Sequence, residues 1–200
     1  MTKTSGIILG VVGVIAVAVI ALIMLVVGAY NSMVGNQEQA TTALANVEAT
    51  YQRRADLIPN LVETVKGYAA HERETFEALT KARAEATSIH LDANDLTPEK
   101  LQQFQQAQSQ LSQSLGRLIA VAENYPELKA SENFRALQDQ LEGTENRINE
   151  ARQKYNEAVQ QYNVGIRRFP NVLFAGILGF DQMQKFEAQQ GAETAPQVSF

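Results

Sequence analysis

Residues 7–27 read IILGVVGVIAVAVIALIMLVV, and this stretch decides how the whole chain is arranged. It contains no charged or hydrogen-bonding side chain, and only Gly10 and Gly13 interrupt the larger apolar residues. As an α-helix rising about 1.5 Å per residue it would be roughly 31 Å long, close to the hydrocarbon thickness of a bilayer. No later part of the sequence repeats it. The pattern predicts a flank (residues 1–6), one transmembrane anchor (residues 7–29) that contacts the lipid bilayer, and a helical domain outside the bilayer.

The other interpretation of this stretch is a cleaved signal peptide. Lys3 and the α-amino group could form its positive flank, and Val27-Gly28-Ala29 would allow a cut before Tyr30. We favour the anchor because the apolar run is longer than the roughly 7–15 residues that are usual for a signal peptide. In an anchor, Lys3 and Tyr30 would mark the two membrane–water boundaries.

The charges beside the anchor indicate its orientation. Lys3 precedes it, whereas Glu38 and Glu48 follow it and no Lys or Arg occurs after it until Arg53. The positive-inside rule then places the N-terminus in the cytoplasm and the bundle outside a bacterial cytoplasmic (inner) membrane. The opposite orientation, with the bundle in the cytoplasm, stays open because a single lysine is a small charge bias.

The composition excludes several classes of function. The net charge of −5 favours neither nucleic acid nor an anionic bilayer surface as a partner. With no cysteine and two histidines, thiolate chemistry is excluded and a metal site would need carboxylates. His71-Glu72 does not begin a zinc-protease motif, because residue 75 is Thr, and neither histidine follows a glutamate by three positions. We therefore expect no catalytic residue, no cofactor, no metal and no enzymatic activity.

Residues 30–187 have the pattern of long amphipathic helices. Apolar residues recur every three or four positions from Ala40, which predicts a first helix that reaches about Ala86 with a kink or break at Pro59. The stripe keeps its phase across Pro59, so we favour a kink. Charged residues of opposite sign lie near one another along the predicted helices, as in Glu145 with Arg147 and Glu150 with Lys154, and the second pair has the favourable i,i+4 order.

Three further helices are predicted after an Asp- and Asn-rich loop. Thr97 would cap the second, Ser131 the third, and a short fourth would extend from Val172 to about Phe186. The fold class is all-α, with a transmembrane helix followed by an antiparallel bundle of three long helices plus a short C-terminal helix. Residues 188–200 are small and polar, which is typical of a flexible tail.

Three groups of residues are candidates for interaction with other molecules. Polar residues are dense around the proline: Arg53, Arg54, Asp56, Asn60, Lys66, His71 and Glu72. The C-terminal segment has more large apolar residues than one core-facing stripe needs, among them Phe174, Ile177, Phe180 and Phe186. Tyr155 and Tyr162, each followed by Asn, are seven residues apart and share one helix face.

The sequence resembles the LemA family over about residues 29–187. The blocks that carry the resemblance are RRADLIPNLV (53–62), VKGYA (65–69), HE (71–72), ENYPELKA (123–130), Phe134, Leu137-Gln138, TENRI (144–148), AR (151–152), and YN at 155–156 and 162–163. It departs from the family at residues 32–34, where Ser-Met-Val replaces the commoner Leu-Val run. The resemblance implies a single-pass anchor, an antiparallel helical bundle and no enzymatic activity. One branch of the family belongs to the magnetosome membrane.

These observations predict a non-enzymatic, membrane-anchored bacterial helical scaffold that self-associates as a homo-oligomer and takes part in membrane organisation. The C-terminal apolar segment is the expected contact between copies; the alternatives are that it caps the bundle core as a last helix or that it contacts the membrane interface. The alternative is a membrane-tethered adaptor that binds a different protein, such as a protease or a signalling partner.

Overall fold

A computed structural model describes residues 3–93 and 95–187, with the side chains of residues 3–8 left out. This part of the chain holds five α-helices and one 3-10 turn, and it contains no strand. The elements are α1 (Lys3–Lys66), α2 (Arg73–Ser88), α3 (Pro98–Ala122), α4 (Pro126–Ala130), α5 (Glu132–Arg167) and a 3-10 turn at Asn171–Leu173. The prediction of an all-α fold with one apolar N-terminal helix is confirmed. The expected flexible tail, residues 188–200, and the side chain of Lys3 lie outside the described residues.

Helix α1 is longer than the anchor and shorter than the sequence predicted. It continues through Pro59 without a break. It ends at Lys66, so the predicted single helix to Ala86 is wrong. After Lys66 the amides of Tyr68 and Ala69 both donate to the carbonyl of Val65, which closes a turn instead of another helical repeat. The apolar spacing continued because α2, after this turn, buries its own stripe in the core that α1 faces.

The chain divides into two compact units, which are described one at a time. Unit 1 comprises Met1–Ala40 and Ala158–Met183, and unit 2 comprises Thr41–Glu157 and Gln184–Phe200. Helices α1 and α5 each contribute to both units, whereas α2, α3 and α4 belong to unit 2.

In unit 2, α2 folds back antiparallel to α1. The contacts between them run in opposite order along the two helices: Lys66 lies over the ring of Phe76, and further back Arg83 donates to the carbonyl of Ala55. Helix α3 begins as the sequence predicted, with the hydroxyl of Thr97 accepting from the amide of Lys100. The shared core is formed by apolar residues of all five helices, including Ile58, Leu61, Val65, Leu79, Leu111, Leu118, Leu128, Phe134 and Leu141.

In unit 1, residues 29–36 of α1 pack against the end of α5 and the segment that follows it. Met33 is fully buried, and its cluster also contains Tyr162, Ile166, Ala175 and Phe180. The helices approach closely here, since a Cβ added to Gly165 would lie 3.0 Å from the side chain of Asn36.

The predicted short helix from Val172 to Phe186 is wrong. Only Asn171–Leu173 form a 3-10 turn, the chain continues in turns to Gly179, and residues 180–187 are neither helix nor strand. Gly179 has φ +80°, a conformation that disfavours helix continuation. Beyond it the backbone bonds to side chains of α5 rather than to itself, as described below.

Candidate functional site

Unit 2 contains a guanidinium group buried between helices. Arg54 of α1 is 2% exposed. Its Nη1 donates to the carboxylate of Glu145 at 2.6 Å and to the hydroxyl of Ser112 at 3.0 Å, and its Nη2 donates to the side-chain oxygen of Gln108 at 2.5 Å. Guanidinium offers five donors in a fixed fork, so this one side chain joins α1 to both α3 and α5.

The network around Arg54 extends to a further helix. Gln108 uses its Nε2 to donate to the carbonyl of Ala86 at 3.2 Å, which brings α2 into the cluster. The guanidinium of Arg54 lies over the ring of Tyr51, with 5.2 Å between Cζ of Arg54 and the ring centroid. Burying a charge is unfavourable unless it is paired and hydrogen-bonded. Glu145 pairs with Arg54, and both terminal nitrogens of the guanidinium are hydrogen-bonded, whereas its buried Nε has no partner among the described residues.

Pro59 opens a second polar contact one turn further along α1. Proline has no N–H, so the carbonyl four residues earlier, that of Ala55, lacks its helical donor. The Nε–H of Arg83 on α2 donates to that carbonyl at 2.8 Å. The proline therefore creates an acceptor in α1, and α2 supplies the donor.

A groove of about 270 Å³ opens beside these contacts, entirely within unit 2. Its lining residues come from α1, α2, α3 and the chain that follows α2: Ala45, Glu48, Ala49, Tyr51, Gln52, Ala86, Thr87, Ile89, His90, Phe104 and Gln108. The carboxylate of Glu48 accepts from the amide of Leu91 at 2.6 Å. No group of three or more metal-ligating side chains occurs among the described residues.

A side-chain clamp in unit 2 holds the last described residues against α5. Asn156 accepts from the amide of Phe186 at 2.8 Å and donates to the carbonyl of the same residue at 2.9 Å. Tyr155 donates its hydroxyl to the carbonyl of Gln184 at 2.8 Å. The ring of Phe186 packs edge-on against Tyr155, 5.3 Å between centroids, and lies under the guanidinium of Arg152.

Unit 1 contains the same clamp one heptad further along α5. Asn163 accepts from the amide of Met183 at 2.9 Å and donates to its carbonyl at 2.8 Å. Tyr162 donates to the carbonyl of Asp181 at 2.8 Å. Seven residues of a helix and three residues of an extended chain both span about 10 Å. Tyr-Asn pairs seven residues apart on α5 can therefore bond backbone groups that are three residues apart in the extended C-terminal segment.

Burial keeps both clamp tyrosines protonated. It raises the pKa of Tyr155 well above the ordinary value of 10.0. Burial also raises the pKa of Tyr162, with a smaller contribution from the negative charge of Asp181. Both hydroxyls therefore remain donors at neutral pH.

The structure separates the predicted polar residues into different roles. Arg54 is the buried centre of the network, and Glu72 accepts from the hydroxyl of Tyr125 at 3.2 Å. The remaining five are exposed on the surface: Arg53, Asp56, Asn60, Lys66 and His71. The seven residues therefore do not form one site.

The predicted aromatic contacts are mostly internal. Tyr155 and Tyr162 are each 1% exposed and serve the clamps. Phe180 is 7% exposed in unit 1 and Phe186 is 4% exposed in unit 2, so their assignment to a contact between copies is corrected: their own units cover them. Phe174 is partly buried, and Ile177 remains open to solvent at 86%.

Sequence reasoning missed the partners of Arg54 and of Ala55. Glu145 was assigned to a pair with Arg147, but it binds Arg54 on another helix instead. The pair of Glu150 with Lys154 is confirmed at 2.7 Å. Local spacing can predict contacts within a helix, whereas a contact between residues 91 positions apart leaves no periodic signal.

Comparison with known proteins identifies similar chains in bacteria. The family model described as LemA family matches residues 43–200. The Magnetosome protein MamQ of Magnetospirillum gryphiswaldense is 25% identical over 191 residues, which covers 84% of this chain and 70% of that protein. Protein LemA of Metamycoplasma hominis is 26% identical over 122 residues, covering 61% of this chain and 52% of that protein.

Proposed function

The chain belongs to the LemA family, and from this membership and the course of α1 we propose that it is a non-enzymatic scaffold which organises a bacterial cytoplasmic membrane by associating with copies of itself. Its family and its apolar helix make the chain a membrane-associated helical protein. In the proposed topology the N-terminus is cytoplasmic and unit 2 lies outside.

The continuity of α1 is the observation that carries the membrane-tethered part of this proposal. One helix holds the apolar stretch, which is long and apolar enough to cross a bilayer, and also Ile58, Leu61 and Val65 of the core of unit 2. The helix is continuous from Lys3 to Lys66. A protein built this way presents a folded helical surface at a membrane, which suits a scaffold.

The polar residues support a non-enzymatic role. Arg54 and Glu145 bind each other, and the groups around them join helices. Arg83 satisfies a backbone carbonyl. A structural contact therefore accounts for each of these groups, and none is needed as an acid, base or nucleophile. The names of the relatives give no reaction, and the name Magnetosome protein supports a role at a membrane compartment.

Mass determination of the detergent-extracted full chain tests self-association. The protomer has a mass of 22.0 kDa, and the proposal expects a defined multiple of it after the detergent contribution is subtracted. The mass should also persist on dilution across the range used for purification. A monomer at every concentration would contradict the scaffold proposal and favour the adaptor.

The groove of unit 2 favours the second candidate function, an adaptor for a different protein. A cavity of this kind can receive an apolar side chain of a partner. Ala49→Trp would fill it, whereas Thr42→Trp, one heptad earlier on α1 and outside the lining, is the matched control. If the protein is an adaptor, Ala49→Trp should no longer capture the partner, whereas Thr42→Trp should still capture it. Both variants should have the mass of a monomer.

A further inference from the structure

Outside the apolar stretch of α1, exposed apolar side chains are concentrated in one short segment after α5. Five large ones occur within ten residues, and we call them the apolar loop: Phe169, Val172, Leu173, Ile177 and Leu178. Ile177 is 86% exposed and Phe169 is 74% exposed. Among the described residues of unit 2, by contrast, only Tyr68 is a large exposed hydrophobic residue. A patch of this kind on a soluble surface indicates an interaction site.

The apolar loop is attached to α1 directly after the membrane-spanning stretch. The ring of Phe180 packs edge-on against Tyr30 at 5.6 Å, and Ala175 packs in the cluster of Met33. Tyr30 is three residues beyond Val27, which is about 4.5 Å along a helix axis. The headgroup layer is roughly 5–7 Å thick on each side of the hydrocarbon core. Unit 1 therefore holds the loop at the level of the headgroups.

The backbone of this loop is suited to a layer poor in water. Of the nine amides from Val172 to Phe180, seven donate to carbonyls of residues 168–176: those of Val172, Leu173, Phe174, Ala175, Leu178, Gly179 and Phe180. The side chain of Asn171 also donates to the carbonyl of Gly165 at 2.9 Å. Entry into a lipid interface is unfavourable for unpaired backbone groups, and most of the amides here are paired already.

Two positive charges lie at the start of the loop. Arg167 and Arg168 end α5 and its turn, and both are exposed. Arginines beside an apolar surface can bind lipid phosphates while the apolar side chains enter the layer beneath. The net charge of the chain is negative. The attraction to phosphate is therefore local to this end of unit 1.

We propose that the apolar loop inserts into the bilayer that α1 crosses, so that each copy contacts the membrane at two places. Lipid is the occupant rather than a second copy, because α1 holds the loop beside the headgroups whenever the anchor is inserted. Insertion also removes from water five apolar side chains that the fold leaves uncovered. The contact needs no second subunit, so it is independent of the proposed self-association.

The absence of tryptophan makes this insertion directly measurable. Ile177→Trp introduces the sole tryptophan of the chain at an exposed position, and Tyr68→Trp introduces one at the exposed position in unit 2. Each full-length variant is placed as a single copy in nanodiscs of phosphatidylcholine and phosphatidylglycerol. Parallel nanodiscs contain the same lipids brominated near the headgroup end of the acyl chains.

We expect the fluorescence of Ile177→Trp to shift to the blue and to lose most of its intensity in the brominated discs. Tyr68→Trp should emit as in water and keep its intensity. A water-like, unquenched Ile177→Trp would overturn the proposal, because the loop would then lie in solvent. A blue-shifted but unquenched signal would overturn it equally, because protein rather than lipid would cover the loop.

Discussion

Arg83 donates its Nε–H to the carbonyl oxygen of Ala55, the one acceptor of α1 that Pro59 deprives of a helical donor. Pro59 therefore removes one hydrogen bond within α1 and at the same time frees the acceptor for a hydrogen bond between α1 and α2. An unsatisfied carbonyl at this position would be unfavourable, since Ala55 itself is buried.

The first prediction is a coupling between Pro59 and Arg83. Arg83→Ala in the natural background leaves the Ala55 carbonyl without a donor and should cost about 1–3 kcal/mol of unfolding free energy. In a Pro59→Ala background the helix amide serves that carbonyl, so Arg83→Ala should cost less by about 1 kcal/mol. Urea unfolding of the detergent-solubilised full chain, followed by circular dichroism, gives all four free energies. Equal costs in both backgrounds would contradict the relationship.

The second prediction concerns the buried guanidinium. Arg54→Ala leaves Gln108 and Ser112 without their shared partner and should cost about 3 kcal/mol, at the low end for breaking a buried pair because Glu145 is 45% exposed. Arg53→Ala changes the same residue type at an exposed neighbouring position and should alter stability by at most about 0.5 kcal/mol.

Arg54→Lys provides a further check on the network. Lysine keeps the charge, but its single ammonium lacks the planar fork that reaches Gln108, Ser112 and Glu145 together. Its unfolding free energy should lie between those of the natural chain and Arg54→Ala. If Arg54→Lys were as stable as the natural chain, charge alone would be sufficient and the forked geometry would be unimportant.

The third prediction tests the clamp on the C-terminal segment. Asn156→Asp keeps an oxygen that can accept from the amide of Phe186 but replaces the donor to its carbonyl with a repelling carboxylate. Amide hydrogen exchange at Phe186 should become faster, by a factor corresponding to about 1–3 kcal/mol. Asn149→Asp, the same change one heptad earlier at an exposed position, is the control and should leave that amide protected.

The fourth prediction is an alkaline loss of stability that depends on Tyr155. Burial raises the folded pKa of this hydroxyl above 10.0, so the folded state favours the protonated form. Its contribution is therefore complete below about pH 10 and declines as the pH rises from there toward the folded pKa. Tyr155→Phe should be less stable at neutral pH by about 1 kcal/mol, having lost the bond to Gln184.

The comparison of Tyr155→Phe with the natural chain isolates this tyrosine from the other titrating groups. Above pH 10 the natural chain should lose stability faster than the variant, so the difference between them narrows as the pH rises. Thermal unfolding at a series of pH values measures both chains. Parallel curves at every pH would mean that the hydroxyl ionises as easily in the folded state as in the unfolded state.

Much of the architecture could be predicted because it depends on local patterns. The long apolar stretch predicted a helix that is long and apolar enough to cross a membrane. The recurrence of apolar residues every three or four positions predicted the amphipathic faces that pack in the core. Thr97 capped α3 as expected, because a cap bonds within its own turn. The end of α1 was missed because α2 buries its stripe in the same core, so the apolar spacing continued through a reversal of the chain.

The candidate site could be predicted less well, because its contacts join distant residues. Arg54 stood out as a charged residue in a helical block, but nothing in its surroundings names Gln108, Ser112 or Glu145 as partners. The C-terminal segment was predicted to be helical from its apolar content. Part of this apolar content is Phe180 and Phe186, which are buried by packing on other elements. The rest is the exposed apolar loop.

The sequence by itself determined that the chain is helical and that it has an apolar N-terminal helix long enough to cross a membrane, since periodicity and the length of an apolar stretch are properties of neighbouring residues. Tertiary structure alone decided that Arg83 is the donor to the carbonyl that Pro59 leaves open, and which guanidinium becomes buried. It also decided which apolar side chains beside Tyr30 the fold buries, as it does Phe180, and which it leaves uncovered, as it does Ile177. These outcomes depend on how elements far apart in the chain pack together, and hydrogen bonds and burial across such distances are settled only when the chain has folded.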